Sequence, residues 1–528
     1  MRKTILFAVV LIIPMLVFHL GYLFNHGTDL EPTGFIQYDN VSYVAYGKQY
    51  LDAGKFHLQY SNPFNESNEY KPIYFQTQFL FFALLIKSGI PPGWIMIPFS
   101  LICSFICFML VIRIYDLLVT DKKNRTLNIW IFAWGGGFLS LAGIIANIVL
   151  QNNIRFTNNL FLIDPENGWW GLNLGRSLFF SCEAYYHALF LGCIYALLRK
   201  KWIASAILLF LLSASHPFTG LELAVIICAW CAFEFIYDRK NIPAWFITAS
   251  ILILSFHLYY YLYYLEQFPD HRSVREQYTL EWKLRYYRLI PAYIIAGSLA
   301  VAAIFQARVK KFISIRSNRI FLSWFAVAFL LINHELFMEA RQPIHFSRGY
   351  VWTSLFLLGL PALQKWNCFL KHRLGKPAVF VFVFVFLLDN FSWIMVNSIS
   401  RSQEPNASYI TREQSSIFKK VDEQCTNHTL IISSDNYIAY LATVYTKAYP
   451  WHSHIYTTPF AQKKLDAQNL FLKNGIIDSA WNNRDIIFIL RKQDSTGQSV
   501  IDQLNARKII TTPHYEVSRL RLDSILIR

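Results

Sequence analysis

Four groups of ionisable residues stand out in this chain, each at the edge of an apolar run. The first is Asp29, Glu31 and Asp39. Asp39 opens the stretch Asn40-Val-Ser-Tyr-Val-Ala-Tyr-Gly-Lys-Gln-Tyr50, where Tyr43, Tyr46 and Tyr50 recur at helical spacing. A carboxylate there either caps the helix, a contribution of about 1 kcal/mol, or acts as a general base at a membrane surface. The second group is Glu183 and His187, an i, i+4 pair that shares one helical face. The third is His216-Pro-Phe-Thr-Gly220 with Glu222 close behind. A residue before proline avoids helical geometry, so His216 sits where a helix must end and either caps that end or works beside Glu222.

The fourth group is His334-Glu335, then Glu339, Arg341, His345 and Arg348. Guanidinium forks match phosphate oxygens, so Arg341, His345 and Arg348 are candidates to hold a phosphate. The plainer reading is a solvated loop whose arginines meet lipid headgroups or Glu339. Glu183, His187, His216, Glu222 and Glu335 have the side chains for a substrate site or a divalent-ion site, yet no spacing among them is specific for a metal. The segment 264–288 is also basic, with His271, Arg272, Arg275, Arg285 and Arg288. It reads either as an anion-binding stretch or as a helix salt-bridged through Glu276 and Glu281.

The elements that position these groups are dictated by composition. Of 528 residues, 54% are hydrophobic and only 16% charged, against about a quarter charged in a soluble domain. The apolar residues fall in blocks long enough to cross a hydrocarbon core of about 30 Å. This excludes a disulfide-stapled secreted module, a disordered hub and a free nucleic-acid binder. The net charge of +16 sits in clusters between apolar blocks, such as Lys122, Lys123 and Arg125, Arg199 to Lys201, and Arg239 and Lys240. Further clusters are Arg308 to Arg319, and Lys365 to Lys376. Basic residues at span ends mark the cytoplasmic side, so the charge reads as topology rather than nucleic-acid affinity. Seven of the eight cysteines lie in or beside apolar segments. Cys425 alone falls in the polar C-terminal part, so no disulfide framework is expected.

Thr4–Phe24 reads as an uncleaved first span with the N-terminus inside. The acidic segment 25–92 is then extracytoplasmic, with Asp52, Glu66 and Glu69 adding to the acids named above. Gln76–Gly89 is apolar but too short to cross, so it is expected to lie at the interface. Further spans are predicted near 94–118, 128–150, 178–198, 202–218, 219–237, 243–264, 289–306, 319–336, 350–364 and 377–397. That gives about eleven spans, puts every basic cluster inside and leaves the C-terminus outside. The expected fold is an α-helical polytopic membrane domain over 1–397 with interfacial helices in its first outer loop, followed by a small extracytoplasmic α/β domain over 398–528. In the latter, Leu430–Ile432, Asp485–Leu490 and Lys508–Ile510 have β character and Phe460–Asn474 has helical spacing. Ser434-Asp435, Tyr437, Tyr440 and His452-Ser-His454 either line an acceptor site or belong to the domain core.

The assembled pattern resembles the GT-C superfamily of membrane glycosyltransferases, which take sugars from polyprenyl-phosphate carriers on the extracytoplasmic face. The resemblance rests on Gln37-Tyr38-Asp39 through Tyr50, on Lys71-Pro72-Ile73-Tyr74, on His216-Pro217 and on the architecture. It implies that Asp39, with Asp29 as the other candidate, is the catalytic base or orients the acceptor. Many members carry a second acid directly after the first; here that place is Asn40. The implied partners are a polyprenyl-phosphate-linked sugar, a lipid, glycan or protein acceptor, and the bilayer, in a cell-envelope setting. No nucleotide-binding glycine loop sits in a strand-to-helix context, in keeping with a lipid-linked donor. Two other readings remain at this stage: a polysaccharide polymerase or ligase using a lipid-diphosphate donor, and a transporter or flippase for lipid-linked or anionic solutes.

Overall fold

The computed structural model describes residues 2–51, 57–66, 71–121, 123–150, 163, 172–237, 242–278, 281–399, 402 and 404–521. Asp52, Glu69, Lys122, Arg239 and Lys240, named above, lie outside the described residues. The chain forms two compact units, each drawn from distant stretches of sequence. The first comprises Met1–Tyr22, Phe99–Tyr259 and Leu280–Ser400, and the second Leu23–Pro98, Tyr260–Thr279 and Arg401–Arg528.

Six helices are long and apolar enough to cross a membrane: Arg2–Phe24, Pro92–Leu118, Pro217–Tyr237, Ala244–Gln267, Tyr286–Ala307 and Gly375–Ile399. Arg125–Trp134 and Leu139–Val149, bent by 63° at their junction, make a seventh if counted as one span. Of the eleven expected spans, six or seven are long and apolar enough to cross among the described residues. The remaining four expected spans are helices that fall short for identifiable reasons. Trp202–Ser213 has 12 residues, about 18 Å at the helical rise. Arg316–Ile332 has 17 residues. Ser181–Leu198 carries Glu183 and His187, and Tyr350–Arg373 ends on Lys371, His372 and Arg373. Thr77–Lys87, at 11 residues, is short as expected.

The bend between Arg125–Trp134 and Leu139–Val149 falls on Gly135-Gly136-Gly137. A helix that breaks inside hydrocarbon exposes backbone groups that no water can satisfy, and here the amides of Gly135 to Ser140 are met from within the first unit. Asp389, fully buried in the Gly375–Ile399 helix, accepts the Gly137 and Leu139 amides on Oδ2 at 2.8 and 3.1 Å and the Ser140 amide on Oδ1 at 2.9 Å. Gly135 donates to the Ile131 carbonyl, Gly136 to the Phe386 carbonyl and Phe138 to the Pro291 carbonyl, each at 2.7 Å. The Trp352 indole donates to the Gly136 carbonyl at 3.0 Å, and the Asn390 amide to the Trp134 carbonyl at 2.8 Å. A Cβ on Gly136 would stand 2.8 Å from the Asp389 Cβ, and one on Gly137 would stand 2.3 Å from the Pro291 carbonyl oxygen. The glycines are thus required by close approach.

The second unit holds a two-stranded and a five-stranded sheet. β1 (Leu30–Pro32) pairs antiparallel with β2 (Tyr409–Thr411), tying the start of the first loop to the C-terminal segment. The larger sheet uses β3 (Leu430–Ser433), β4 (Tyr449–Pro450), β5 (Asp485–Arg491), β6 (Arg507–Thr511) and β7 (Tyr515–Arg521) in the order β4-β3-β5-β7-β6. β3 runs parallel to β4 and β5, whereas β7 is antiparallel to β5 and β6. Leu430, Ile432, Trp451, Phe471, Trp481 and Phe488 form its apolar core. The predicted helix over 460–474 is Ala461–Asn474, packed against that core through Phe471.

The clamp on the helix break is testable. Asp389→Leu leaves three buried amides without an acceptor, each costing about 1–3 kcal/mol, and is expected to unfold or severely destabilise the protein. Asp389→Asn keeps one acceptor oxygen and is expected to retain part of that loss. Thermal unfolding in detergent micelles should rank wild type above Asn and Asn above Leu.

Candidate active site

Asp39 lies in the first turn of the Tyr38–Gln49 helix, in the second unit. Three contacts fix that helix. The Tyr440 hydroxyl, from the Asn436–Tyr445 helix, donates to the Tyr38 carbonyl at 2.8 Å and accepts the Ser42 amide at 3.1 Å. The Ser42 and Tyr440 hydroxyls also meet at 2.6 Å. At the other end, the Lys48 ammonium donates to the Thr443 carbonyl at 3.1 Å and to the Thr446 carbonyl. These are the last carbonyls of the Asn436–Tyr445 helix, where a cation is favoured. Burial pulls the Lys48 pKa down to about 8.

Around Asp39 stand aromatic rings. His454 packs 4.9 Å from Tyr38, 5.2 Å from Tyr440 and 6.0 Å from Phe64 between ring centroids. The Asp39 side chain itself is 63% exposed, with its Oδ1 3.7 Å from His454 Nε2. It is therefore a solvent-reachable carboxylate set against a buried aromatic wall. Asn40, the next residue, is fully buried, so a carboxylate there would be drawn into the packing rather than presented beside Asp39. Asp29 lies in an exposed turn ahead of β1.

Deeper in the second unit, Lys464 pairs with Glu66, and Arg484 donates to the Glu66 carbonyl at 2.8 Å. Asn65 donates to Asp270 at 3.2 Å. Both contacts tie the first loop down. His452 is buried nearby, and neither ring nitrogen has a hydrogen-bond partner among the described residues. Burial, then Lys464 and His454, bring its pKa down to about 4.

The remaining candidates belong to the first unit. Glu183 is ion-paired with Arg348. Arg348 also donates to His345 Nδ1 at 2.5 Å, and its carbonyl accepts from His187 Nε2 at 2.8 Å. A carbonyl can only accept, so His187 carries its proton on Nε2. His187 in turn stacks on Tyr350 at 4.4 Å, and His345 on Phe218 at 4.4 Å. Glu183, His187, His345 and Arg348 thus form one network, with the Arg348 charge already met by a carboxylate. His216 lies 6.3 Å from His345 between centroids and accepts the Thr219 amide on Nδ1 at 3.1 Å, capping the Pro217–Tyr237 helix. Glu222 is fully buried, and its carboxylate oxygens have no hydrogen-bond partner among the described residues. Arg341 is 57% exposed and stands 3.7 Å from Glu339. Glu335 lies half-buried in the short His334–Leu336 helix. Among the described residues no three His, Cys, Asp or Glu side chains converge as metal ligands would.

No family model matches this chain, and no curated protein matches it significantly. Among solved structures it is similar to the crystal structure of ArnT from Cupriavidus metallidurans in the apo state, with a TM-score of 0.50 and 10% identity over 97% of each chain. At that identity the likeness bears on the fold alone. The chain shares the fold of that structure, and its apolar helices make it an integral, multi-pass membrane protein.

Two outcomes follow from the burial of these charges. Glu183→Gln strands the Arg348 charge in a site 12% exposed, and a loss of about 3–5 kcal/mol is expected. Glu222→Gln removes a buried carboxyl that has no hydrogen-bond partner among the described residues, so unfolding in detergent should show no loss. His452 yields a pH effect. Between about pH 6.5, its unfolded value, and about 4, the unfolded chain takes up a proton that the folded chain refuses. Stability therefore falls as pH drops through that window, by up to about 1.4 kcal/mol per pH unit. His452→Asn should flatten the decline of the melting temperature between pH 7 and pH 5.

Proposed function

We propose that this protein is an integral-membrane glycosyltransferase that moves a sugar from a polyprenyl-phosphate carrier to an acceptor hydroxyl on the extracytoplasmic face. The observation that carries the reading is Asp39, an exposed carboxylate held in the first turn of a clamped helix against a wall of tyrosines and a histidine. It belongs to a chain whose fold is GT-C-like. The acceptor oxygen attacks the sugar C1 while Asp39 takes its proton. The bond from C1 to the phosphate oxygen breaks with its electron pair, and polyprenyl phosphate leaves. A single displacement inverts the anomeric centre. The phosphate is already a good leaving group, so activation reduces to meeting its charge, for which Arg348, His345 and Arg341 are the proposed groups. Arg348 serves only by sharing itself between Glu183 and the phosphate, and this makes the Glu183 pair part of the donor site's tuning. On this reading the N-terminus lies in the cytoplasm and residues 398–528 lie outside.

The bent pair Arg125–Trp134 and Leu139–Val149 favours a second reading, since broken helices build the solute sites of transporters. Such sites leave backbone groups free to bind the solute, whereas the amides of this break, Gly135 to Ser140, are engaged by protein acceptors or by the helix they begin. The break thus reads as structural.

Purified protein in lipid, offered a panel of polyprenyl-phosphate sugars with an envelope-lipid extract, is expected to release free polyprenyl phosphate. Asp39→Asn should slow that release by about 10²–10⁴-fold, the range for loss of a general base. Consumption of a lipid-diphosphate sugar with no turnover of any monophosphate donor would move the assignment to a polymerase or ligase.

A further inference from the structure

We propose that His454 is the positioning residue for Asp39, holding the carboxylate through a proton fixed on Nε2. This deepens the reading above and rests on Asp39 being the base. The geometry assigns the proton. His454 Nδ1 accepts the backbone amide of Tyr456 at 3.1 Å, so that nitrogen must offer its lone pair and the neutral ring carries hydrogen on Nε2. Nε2 is buried and has no hydrogen-bond partner among the described residues; Asp39 Oδ1, at 3.7 Å, is the acceptor it faces. That separation is longer than a hydrogen bond. Asp39 is an exposed side chain free to rotate, and catalytic contacts of this kind are often long before substrate binds.

The histidine, in contrast, cannot move. Its own amide donates to the Thr458 hydroxyl at 3.1 Å, and its carbonyl accepts the Thr457 and Thr458 amides at 3.2 and 2.9 Å. The ring is enclosed by Tyr38, Phe64, Tyr440 and Tyr456. A rigid donor facing a mobile carboxylate does two things. It selects the Asp39 rotamer, and it stabilises the ionised form that can accept a proton. With Nδ1 committed as the acceptor of the Tyr456 amide, Nε2 is the ring's donor. The base is therefore the carboxylate, with the imidazole as its orienter, which reverses the division of labour in a serine-hydrolase triad.

The other titratable groups that act on Asp39 are the hydroxyls of Tyr38 and Tyr46 on its own helix and Tyr440 on the Asn436–Tyr445 helix. Burial holds all three tyrosines above the ordinary phenol range. Tyr456 and Tyr278, tilted against each other with ring centroids 4.9 Å apart, and His452, which interacts with His454, complete the surroundings. Tyr38, Tyr46 and Tyr440, raised by burial, stay protonated between about pH 5 and 7, so they do not contribute to a change in that range on altering His454.

Glutamine and asparagine separate the roles of the two ring nitrogens, because the glutamine amide reaches the Nε2 position and the asparagine amide only the Nδ1 position. In the full-length protein in lipid, His454→Asn is expected to lower kcat by about 10- to 100-fold, the scale of one charge-assisted hydrogen bond. The donor KM should stay within about two-fold, and the acid limb of the pH–rate profile should move to higher pH. His454→Gln, with the same melting temperature as His454→Asn, should recover most of kcat and the wild-type limb. Equal loss in both variants, or no loss in either, with Asp39→Asn still inactive, overturns the dyad and leaves the proposed function standing. Full activity in Asp39→Asn instead removes Asp39 as the base and leaves the transfer reaction standing. The dyad is then decided by a readout free of turnover, the pH dependence of carbodiimide labelling at Asp39 followed by mass spectrometry. Labelling should extend to higher pH in His454→Asn than in wild type or His454→Gln, and coincident profiles overturn the proposal.

Discussion

A helix cannot break inside a membrane unless its freed backbone groups are met by protein, and in the first unit Asp389 meets that condition. The consequences reach past the three amides it caps. The Asp389 carbonyl accepts the Arg176 guanidinium at 2.7 Å, and the Asn173 side chain accepts the Arg176 amide at 3.2 Å. Gly349, with φ +85°, lies so close to Asn173 that a Cβ would stand 2.9 Å from its backbone. Arg348 precedes that glycine, and its guanidinium and carbonyl organise Glu183, His345 and His187. One buried carboxylate thus anchors a continuous run of contacts from a helix break to the cluster of charged side chains.

Charge inside the first unit follows a consistent rule. Glu234 and Arg319, both almost fully buried, meet through two parallel hydrogen bonds of 2.6 and 2.8 Å, with the remaining Arg319 donor on the Ile313 and Ser314 carbonyls. Glu183 has Arg348, and Asp389 has its amides. Glu222 stands apart, buried and without such a partner among the described residues. An uncompensated carboxyl group is costly in a dry site, so Glu222 is the one of these acids whose burial the surrounding side chains do not explain.

The apolar elements were readable from sequence because hydrophobic periodicity is a local property. The runs at Leu430, Asp485 and Lys508 became β3, β5 and β6, and the short 76–89 segment became an 11-residue helix. What escaped depends on contacts between distant positions. β1 and β2 are three-residue strands that exist only through each other, across more than 370 residues, and neither carries a pattern of its own. β7, with Glu516 and Arg519 among its apolar residues, reads as polar until the antiparallel register with β5 sets Val517 opposite Ile489. Asp389 was invisible for the opposite reason. It sits within a strongly apolar run, and nothing near it in sequence announces three amides from residues 137–140. Arg348 was legible as a cation at a span boundary, but its carboxylate partner 165 positions earlier was not.

The histidine pair in His452-Ser-His454 shows the same limit at the candidate site. Residue type drew attention to both histidines, and spacing could not separate them. In the folded chain they diverge completely. His452 turns into the interior, where burial and Lys464 keep it uncharged. His454 has one nitrogen committed to the Tyr456 amide, which leaves the other facing Asp39. The difference comes from the turn over 454–458, whose amides and hydroxyls fix the backbone before any side chain is placed. A carboxylate as exposed as Asp39 has no geometry of its own, since water competes for every oxygen lone pair. Rigidity has to come from its surroundings, and in the second unit His454 combines a fixed position with a proton that faces Asp39.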